Sequence, residues 1–596
     1  MRDYRSPRTR GDRPAGPVGR PRPVPGGPPP RPNAARPPTD PPTTRLPPVP
    51  SAPSESGGRS SLIRSSSVIA VASLVSRVTG FLRTLALVAV LGLGIVNDSY
   101  TIANTLPNIV YELLLGGVLT SVMIPLLVRA QTDDADGGVG YTRRLLTITG
   151  VALLLATVAA MLAAPLLTRL YLGTQTSNSA NPELATMFAY LLLPQIFFYG
   201  IGALLGAILN SKGVFGPFAW APVLNNVVVL AVLAAYAAVP GQISLDPVRM
   251  GDTKLLVLGL GTTLGIVVQA VVLLPSMRRI GFRYRPVWGW DPRLTAAGGL
   301  AGWVVLYVLI GQAGYIVTTR VAAAADAGSV ATYSYAWLLL QVPYGVLGVS
   351  LLTALMPRMS RAAAEGRLHD VVADLSLGTR LSAVALIPIT VVLTLFGTEV
   401  GVALFSLGAG SAGGGSARLG ATLAASAFGL LPYAVTLLQL RVFYALTDSR
   451  TPTLIQLFIV GLKIPLLLLC PVLLPPERVV LGLAAANALS FAFGAVLGQV
   501  LVARRLGRAR TGEMLGTVGR TTAASIAGGL LAYGAVVLLD TGPLTGWAPV
   551  GRAWTVLALA LVVATPVTLL GMRVLRVREL DPLWRRLPGS PARGGG

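Results

Sequence analysis

Apolar runs about 20 residues long recur along almost the whole chain, and each could cross the hydrocarbon core of a bilayer as a helix. Hydrophobic residues make up 53% of the 596 residues and charged residues only 12%, and the mean hydropathy is +0.67. Such a chain is too apolar for a water-soluble globular domain. We predict an all-α polytopic membrane protein with fourteen transmembrane helices. The predicted helices lie at residues 67–93, 105–128, 146–170, 185–209, 217–239, 254–277, 297–322, 329–356, 376–398, 419–446, 453–474, 479–503, 517–539 and 553–575.

The distribution of arginine predicts how these helices are oriented. A formal charge of +24 would suggest a nucleic-acid partner in a soluble domain, but here the arginines concentrate in the N-terminal segment and in short loops after even-numbered helices. Short loops that stay in the cytoplasm are enriched in Lys and Arg. We therefore expect both termini to be cytoplasmic and no nucleic acid to bind. The arginines of these loops are Arg129, Arg143, Arg144, Arg278, Arg279, Arg283, Arg285, Arg358, Arg361, Arg367, Arg504, Arg505, Arg508 and Arg510.

The two ends of the chain differ from the rest in composition. Residues 1–62 are rich in Pro, Arg, Gly and Ser and have almost no large apolar side chains. Because such a segment cannot bury enough apolar surface to offset the entropy of ordering, we predict a disordered cytoplasmic tail. Its polyproline stretches are suited to bind in a groove of a partner protein. Alternatively, its basic residues make it an unstructured tether that stays near anionic membrane lipids. Residues 577–596 are predicted to form a second cytoplasmic tail.

Cysteine and histidine each occur once, at Cys470 in an apolar run and at His369 in a polar loop. One cysteine excludes an intrachain disulfide, and a lone histidine lacks a second ligand for a histidine metal site. The sequence has no phosphate-binding loop of the Gly-x-x-x-x-Gly-Lys-Ser/Thr kind and no evident acid pair or nucleophile constellation. We therefore expect a membrane transporter rather than an enzyme, with no cofactor and no metal.

Two sequence patterns repeat at a spacing of six predicted helices. Leu193-Pro194 and the polar end of its helix recur at Leu431-Pro432, and the segment 116–125 resembles the segment 348–357. Because six is an even number, the two copies have the same orientation, as expected for a parallel duplication about an axis along the membrane normal.

The duplication predicts a two-lobe transporter. Residues 63–280 would form the N-lobe and residues 294–506 the C-lobe, with six helices each, and residues 515–576 would add two helices outside the repeat. Transporters built this way hold substrate between their halves. We therefore expect predicted helices 1, 2, 7 and 8, which match in the duplication, to form the cavity walls.

Two arginines lie inside the first predicted helix with no carboxylate beside them, Arg77 and Arg83. A charge at the centre of a membrane helix costs roughly 2.5–3.5 kcal/mol, so such residues are candidates for function. They are separated by about 240° around the helix and about 9 Å along it, and Gly80 between them permits a bend. This geometry fits a wide aqueous cavity, and guanidinium groups match phosphate oxygens. The alternative is that each arginine binds carbonyls of a broken helix or pairs with a distant acid such as Glu112.

Other polar residues within apolar runs have open interpretations. Asp98 is either a helix N-cap or a functional acid. Arg320 either reaches the membrane interface or points into the cavity. Arg441 and Lys463 either bind local carbonyls or an anionic group.

Proline inside a helix interrupts its hydrogen bonding and permits a hinge, and two prolines are candidates for that role. Pro107 lies in the second predicted helix, and Pro343 lies with Gly345 in the eighth. We expect the two lobes to rock about these positions during alternating access.

Several of these motifs together resemble the MurJ (MviN) family of lipid II flippases. They are Ser76-Arg77-Val78-x-Gly80-Phe81-x-Arg83, Asp98, Leu106-Pro107-Asn108, the run 341–358, and Arg441-Val-Phe-Tyr-Ala-Leu-x-Asp448-Ser-Arg-Thr-Pro452. The resemblance covers nearly all of residues 62–510. It implies a fold like that of the multidrug (MATE) and oligosaccharidyl-lipid exporters.

The implied activity moves lipid II, the undecaprenyl-diphosphate-linked disaccharide-pentapeptide precursor of peptidoglycan, from the inner to the outer leaflet of the cell membrane. In that family the cavity arginines of the first helix are functional, which carries over to Arg77 and Arg83. The matching Asp98 and Asn108 inherit a weaker claim to substrate binding. The tail of residues 1–62 would then be a candidate site for cell-wall synthesis proteins.

The chain also departs from the family pattern. Many members have an arginine where this chain has Tyr111, and an Asp-Arg pair with a following Glu where it has Trp337, Leu338 and Gln341. The predicted cavity therefore contains fewer cationic side chains than in those members, and Arg320 and Lys463 are candidates to supply the missing positive charge. Two alternatives stay open: a flippase for another polyprenyl-linked glycan, and a non-transporting scaffold for cell-wall synthesis.

Overall fold

The structure is a computed structural model that describes residues 55–113, 124–173, 181–293, 298–507, 510–540 and 546–581. These residues form α-helices and short 3-10 turns and contain no β-strand. Residues 1–54 of the predicted N-terminal tail and residues 582–596 of the predicted C-terminal tail lie outside the described residues.

The N-terminal half of the described chain contains ten helices. Apolar runs separated by loops rich in Gly, Pro and charged residues account for most of their boundaries. The helices are α1 (Glu55–Leu91), α2 (Ile95–Leu113), α3 (Ile124–Asp133), α4 (Val139–Leu162), α5 (Ala164–Leu172), α6 (Pro182–Leu192), α7 (Gln195–Ser211), α8 (Gly216–Ala238), α9 (Thr253–Val271) and α10 (Leu274–Arg279).

The C-terminal half continues with seven helices, and two more follow. We call α1–α10 the N-half and the next seven helices the C-half. Those seven are α11 (Gly298–Ala325), α12 (Ser329–Ala364), α13 (Leu368–Phe405), α14 (Gly415–Ser426), α15 (Leu430–Ala445), α16 (Arg450–Leu473) and α17 (Pro476–Leu506). The final pair is α18 (Thr511–Asp540) and α19 (Pro549–Val574).

Twelve helical segments of the described residues are long and apolar enough to cross a membrane. They coincide with twelve of the fourteen predicted helices. The remaining two predictions correspond to α12, which is 36 residues long, and to the segment from α2 to α3, whose middle lies outside the described residues. The all-α polytopic fold is therefore confirmed, and the count of fourteen stays a prediction.

The repeated Leu-Pro pair marks a helix break in both halves. Around Leu193-Pro194, α6 ends and α7 begins, and before Leu431-Pro432 a 3-10 turn precedes the start of α15. Proline lacks an N–H and clashes with the preceding turn, so it fits the first turn of a helix and disrupts an interior. The two copies of the repeat therefore break at matching positions.

The hydrophobic cores differ between the two ends of the molecule. We call the end with the arginine-containing loops the Arg-rich end and the other the opposite end. At the opposite end, buried side chains of both halves form one shared cluster, which includes Leu172, Phe188, Leu255, Ala322, Leu467 and Val480.

At the Arg-rich end, each half has a cluster of its own. The N-half cluster includes Leu127, Leu145 and Ile208, and the C-half cluster includes Leu355, Leu375 and Phe443. Among the described residues, apolar clusters shared by the two halves therefore lie at the opposite end and along α1, where Val88 packs with α12, α13 and α14, and neither cluster at the Arg-rich end is shared.

Helices α18 and α19 pack on each other and on α13. A buried ion pair fastens them to the C-half, since Arg380 of α13 lies 2.8 Å from Glu579, just beyond α19. The Thr517 hydroxyl donates a second hydrogen bond to the same carboxylate at 3.2 Å. The first residues of the predicted C-terminal tail are thus bound to the helix bundle.

Candidate functional site

Arg77 is placed against the second half of the protein. It is an exposed residue of α1, and its guanidinium lies on the backbone of α12 at Gly345. A Cβ atom at Gly345 would overlap Arg77 Nη1, well inside van der Waals contact. Glycine at this position therefore provides the space that the guanidinium occupies, a role distinct from the predicted hinge.

The segment of α1 that carries Arg77 is held from the other side by Asn226 of α8. The Asn226 side-chain amide donates hydrogen bonds to the Ser76 carbonyl at 3.1 Å and to the Thr79 hydroxyl at 3.0 Å. A Cβ at Gly80 would lie 3.4 Å from the same amide nitrogen. Helix α1 continues through Gly80 to Leu91, so this glycine permits close approach to α8, and its use as a bend stays a prediction.

Arg83 lies deeper between the helices and is half-buried. It is within electrostatic range of Tyr100 on α2 and Tyr335 on α12. Its Nε is buried and has no hydrogen-bond partner among the described residues. Arg77 and Arg83 are six residues apart on one continuous helix, so they are separated by about 9 Å along its axis. Their joint role in a cavity stays a prediction.

Neither arginine is neutralised by a carboxylate. The ion pairs of the described residues do not include Arg77, Arg83 or Glu112. Glu112 of α2 instead accepts a hydrogen bond from the Gln312 amide of α11 at 3.2 Å. Two uncompensated guanidinium groups between the halves leave a site suited to an anionic ligand.

Asp98 has a structural role at the opposite end of the molecule. It is fully buried, and its two carboxylate oxygens accept hydrogen bonds from the backbone N–H groups of Gly328 and Ala331, each at 2.8 Å. These N–H groups belong to the first turn of α12, whose N-cap is Gly328. Asp98 therefore caps the N-terminus of α12, a helix of the other half, rather than the N-terminus of its own helix α2.

Further polar contacts surround this cap. Asn97 donates to the Gly92 carbonyl at 2.6 Å and accepts a hydrogen bond from the Tyr335 hydroxyl at 2.7 Å. Arg418 donates to the Ala327 carbonyl at 2.7 Å and forms an ion pair with Asp326. Asn97, Tyr335 and Arg418 are not identifiable as neighbours from the sequence, because they lie far apart along the chain and meet only in the fold. We call Asn97, Asp98 and the start of α12 the latch.

The remaining basic candidates are dispersed. Arg441 of α15 is exposed, and with Arg77 it lies within electrostatic range of Tyr344 on α12. Arg320 lies at the opposite end of the molecule, where a Cβ at Gly173 would be 3.2 Å from its Nε. Lys463 of α16 packs toward α11, where a Cβ at Gly314 would be 3.8 Å from its Cδ. Of the three, the structure brings Arg441 nearest to the Arg77 region.

Asn108 and Pro107 lie within α2, which continues from Ile95 to Leu113 without interruption. Pro107 is buried and Asn108 half-buried. Helix α12 likewise continues through Pro343. The hinge function of both prolines stays a prediction.

An aromatic cluster occupies the wall where the family pattern has charged residues. Trp337 stacks on Phe491 at a centroid distance of 5.6 Å and meets Tyr433 edge-on at 5.3 Å. Tyr344 contacts Tyr433 at 5.1 Å. Leu338 is exposed and Gln341 half-buried. Aromatic packing therefore covers this part of α12 and extends to Tyr344, which adjoins Gly345.

The described residues contain no group of three or more His, Cys, Asp or Glu side chains that could hold a metal ion. The site is thus defined by cations, glycine and aromatic side chains between two halves. A family model described as lipid II flippase MurJ matches residues 87–549. The chain belongs to the MurJ family.

Individual MurJ relatives match most of the chain. Two proteins named "Probable lipid II flippase MurJ" are similar to this chain. The one from Rhizobium meliloti is 28% identical over 509 residues, and the match covers 84% of this chain and 91% of the relative. The other, from Vibrio cholerae serotype O1, is 26% identical over 403 residues, covering 66% and 74%.

Solved structures show the same fold. A structure of lipid II flippase MurJ in an inward closed conformation has a TM-score of 0.67 at 16% identity and covers 85% of this chain and 99% of its own. An inward-facing multidrug resistance MATE family transporter has a TM-score of 0.53 at 14% identity, covering 74% and 95%. The MATE-like transporter fold predicted from the resemblance is therefore confirmed.

Proposed function

We propose that this MurJ family member is a flippase that moves lipid II from the inner to the outer leaflet by alternating access. The observation that carries the proposal is the pair Arg77 and Arg83, two guanidinium groups between the halves that have no carboxylate partner among the described residues. A diphosphate is the anionic group of lipid II, and guanidinium groups bind phosphate oxygens with two parallel hydrogen bonds.

The orientation follows from the loop charges. We place the Arg-rich end in the cytoplasm, because short loops rich in arginine remain there, and both termini then lie in the cytoplasm. In this orientation the shared core and the latch lie at the outer end, which supports a state that is closed outward. Lipid II would enter from the inner leaflet, with its diphosphate near Arg77 and Arg83, Arg441 nearby and its polyprenyl tail in the lipid.

Outward opening requires the latch to separate. The hydrogen bonds from Gly328 and Ala331 to Asp98 and the shared core at that end would be lost, and an inner closure would replace them. Asn108, Glu112 and Lys463 would contribute polar contacts to the sugar-peptide head or its path, and Arg320 would lie near the exit. The membrane potential acts on each cavity charge with about 2.3 kcal/mol per 100 mV, so it can assist the return step.

The test is a leaflet assay with the purified full-length protein in liposomes containing labelled lipid II. The double variant Arg77→Ala, Arg83→Ala is expected to lose at least about 90% of translocation, because two charge-assisted contacts to the diphosphate are removed. Arg504→Ala, an exposed arginine at the end of α17, is the matched control and should remain active. Normal translocation by a correctly inserted double variant would contradict the proposal.

The same assay distinguishes the two alternatives. Equal transport of another polyprenyl-diphosphate glycan would show that the peptide and sugars are not selected. A non-transporting scaffold that recruits cell-wall synthesis proteins would show no translocation in liposomes, and deletion of residues 1–54 would abolish its function in cells. A flippase should retain both activities after this deletion.

A further inference from the structure

A second groove lies on the N-half, away from the arginines of the first helix. It has a volume of about 860 Å³ and lies between α4, α7 and the segment that follows α9. Its walls are mainly apolar, with Leu154, Phe197, Ile201 and Met277 among them, and Arg278 and Arg283 lie at one end. Neither Arg77 nor any other residue of the site between the halves lines it.

The charges of this groove have one sign. Its described lining contains two arginines and no carboxylate, and neither arginine belongs to an ion pair of the described residues. The position of the loop is set by a hydrogen bond from Arg143 Nε to the Arg283 carbonyl at 3.1 Å and by contact of the Tyr284 and Thr147 hydroxyls at 3.1 Å. The backbone that carries Arg283 is therefore fixed beside an apolar groove whose described lining contains no carboxylate.

The groove opens toward the lipid. Helix α4 carries a stripe of exposed apolar side chains that continues from the groove along the helix, and Leu154 in the groove is 53% exposed. The loop after Arg283 presents Tyr284 and Trp288, of which Trp288 is 73% exposed. Exposed tryptophan and tyrosine are typical of the headgroup layer, so the two arginines lie at the depth of lipid phosphates.

We infer that this groove binds an anionic glycerophospholipid, whose phosphate contacts Arg278 and Arg283 and whose acyl chain lies along α4 and α7. Charge complementarity identifies the headgroup, because two unpaired guanidinium groups attract a phosphodiester and disfavour a cationic headgroup. The apolar walls identify the chain, because a free phosphate would leave them without a ligand. The site is separate from the flippase cavity and does not depend on the proposed substrate.

The experiment measures lipid retained by the purified full-length protein, by native mass spectrometry after exposure to phosphatidylglycerol or phosphatidylcholine in mixed micelles. The unmodified protein should retain phosphatidylglycerol preferentially. The variant Arg278→Gln, Arg283→Gln should weaken that retention about 30-fold. The matched control Arg144→Gln, Arg279→Gln removes two exposed arginines outside the groove lining and should have little effect.

A second variant tests whether the apolar walls of the groove contribute to lipid binding. A Cβ at Gly150 would meet only Ile201 Cδ1, at 3.7 Å, so Gly150→Leu fills the groove without a backbone clash and should reduce retention while both arginines remain. Equal losses in the two arginine pairs would overturn the inference in favour of general surface charge. Normal retention by Gly150→Leu, or full displacement of the lipid by inorganic phosphate, would also overturn it.

Discussion

The two ends of this molecule are built differently. At the opposite end the halves share one core, and the latch adds hydrogen bonds between α2 and α12. At the Arg-rich end each half has a separate core, and the ion pairs, such as Arg358 with Asp374 at 2.8 Å, remain within one half. Contacts that cross between the halves are the ones that must break and re-form, so we expect the latch to control the conformational equilibrium.

The largest effect should follow from Asp98→Ala. Two backbone N–H groups at the start of α12 would lose their acceptors in a buried place, which costs about 2–4 kcal/mol in total. The closed outer end should be destabilised, and the distance between spin labels across that end should increase. Asp98→Asn, which keeps one side-chain oxygen, should show a smaller change. An unchanged distance distribution in the alanine variant would mean that the shared core alone holds this end closed.

A smaller effect is expected where α1 meets α12. In Gly345→Ala the new methyl group would occupy the position of Arg77 Nη1, so the guanidinium must move by more than about 1 Å, on the order of the displacement that impairs a positioned group. Translocation should fall about tenfold. Gly461→Ala, with open space around the added carbon, is the control. Equal activity of the two variants would show that the position of Arg77 is not critical.

Removal of one hydroxyl at the latch tests a single bond. Tyr335→Phe loses the hydrogen bond to Asn97 and should lower the stability of the closed state by about 1 kcal/mol. Thermal unfolding in detergent and the spin-label distances measure the change. Thr394→Val removes an exposed hydroxyl that binds only its own helix and is the matched comparison. A larger loss in the threonine variant would argue against the latch.

The smallest expected effect is a pH dependence of the folding stability that Asp448 contributes at the Arg-rich end. Burial raises the pKa of Asp448, but hydrogen bonds from Thr451 and the N–H of Arg450, together with nearby Arg505, outweigh burial and lower the pKa below its ordinary value. The carboxylate therefore stabilises the folded state above the unfolded pKa, and this contribution is lost as the pH falls through the folded pKa. The loss should be less than about 1 kcal/mol.

Thermal unfolding between about pH 6 and about pH 3 measures this contribution, with Asp448→Asn as the control that lacks the titrating group. The unmodified protein should lose more stability than the variant over this range. The outer-end distances should stay the same in both, because the hydrogen bonds and the ion pair of Asp448 lie within the C-half. A pH-dependent opening of the outer end would show that the two ends are coupled.

Much of the architecture follows from short stretches of sequence. An apolar run of about 20 residues must form a helix in lipid, because backbone N–H and C=O groups have no other partner there. Loop arginines and the spacing of the Leu-Pro repeats then predict the topology and the duplication. The cost of charges in a membrane likewise identified Arg77 and Arg83 as candidates.

Only the tertiary structure decided what these residues contact. The approach of Arg77 to Gly345 joins positions 268 residues apart, and the hydrogen bond from Gly328 to Asp98 spans 230 residues. No local pattern encodes such pairs, because they depend on how the two halves pack against each other. For the same reason the sequence presented Asp98 as a possible functional acid, whereas packing makes it the cap of a helix in the other half.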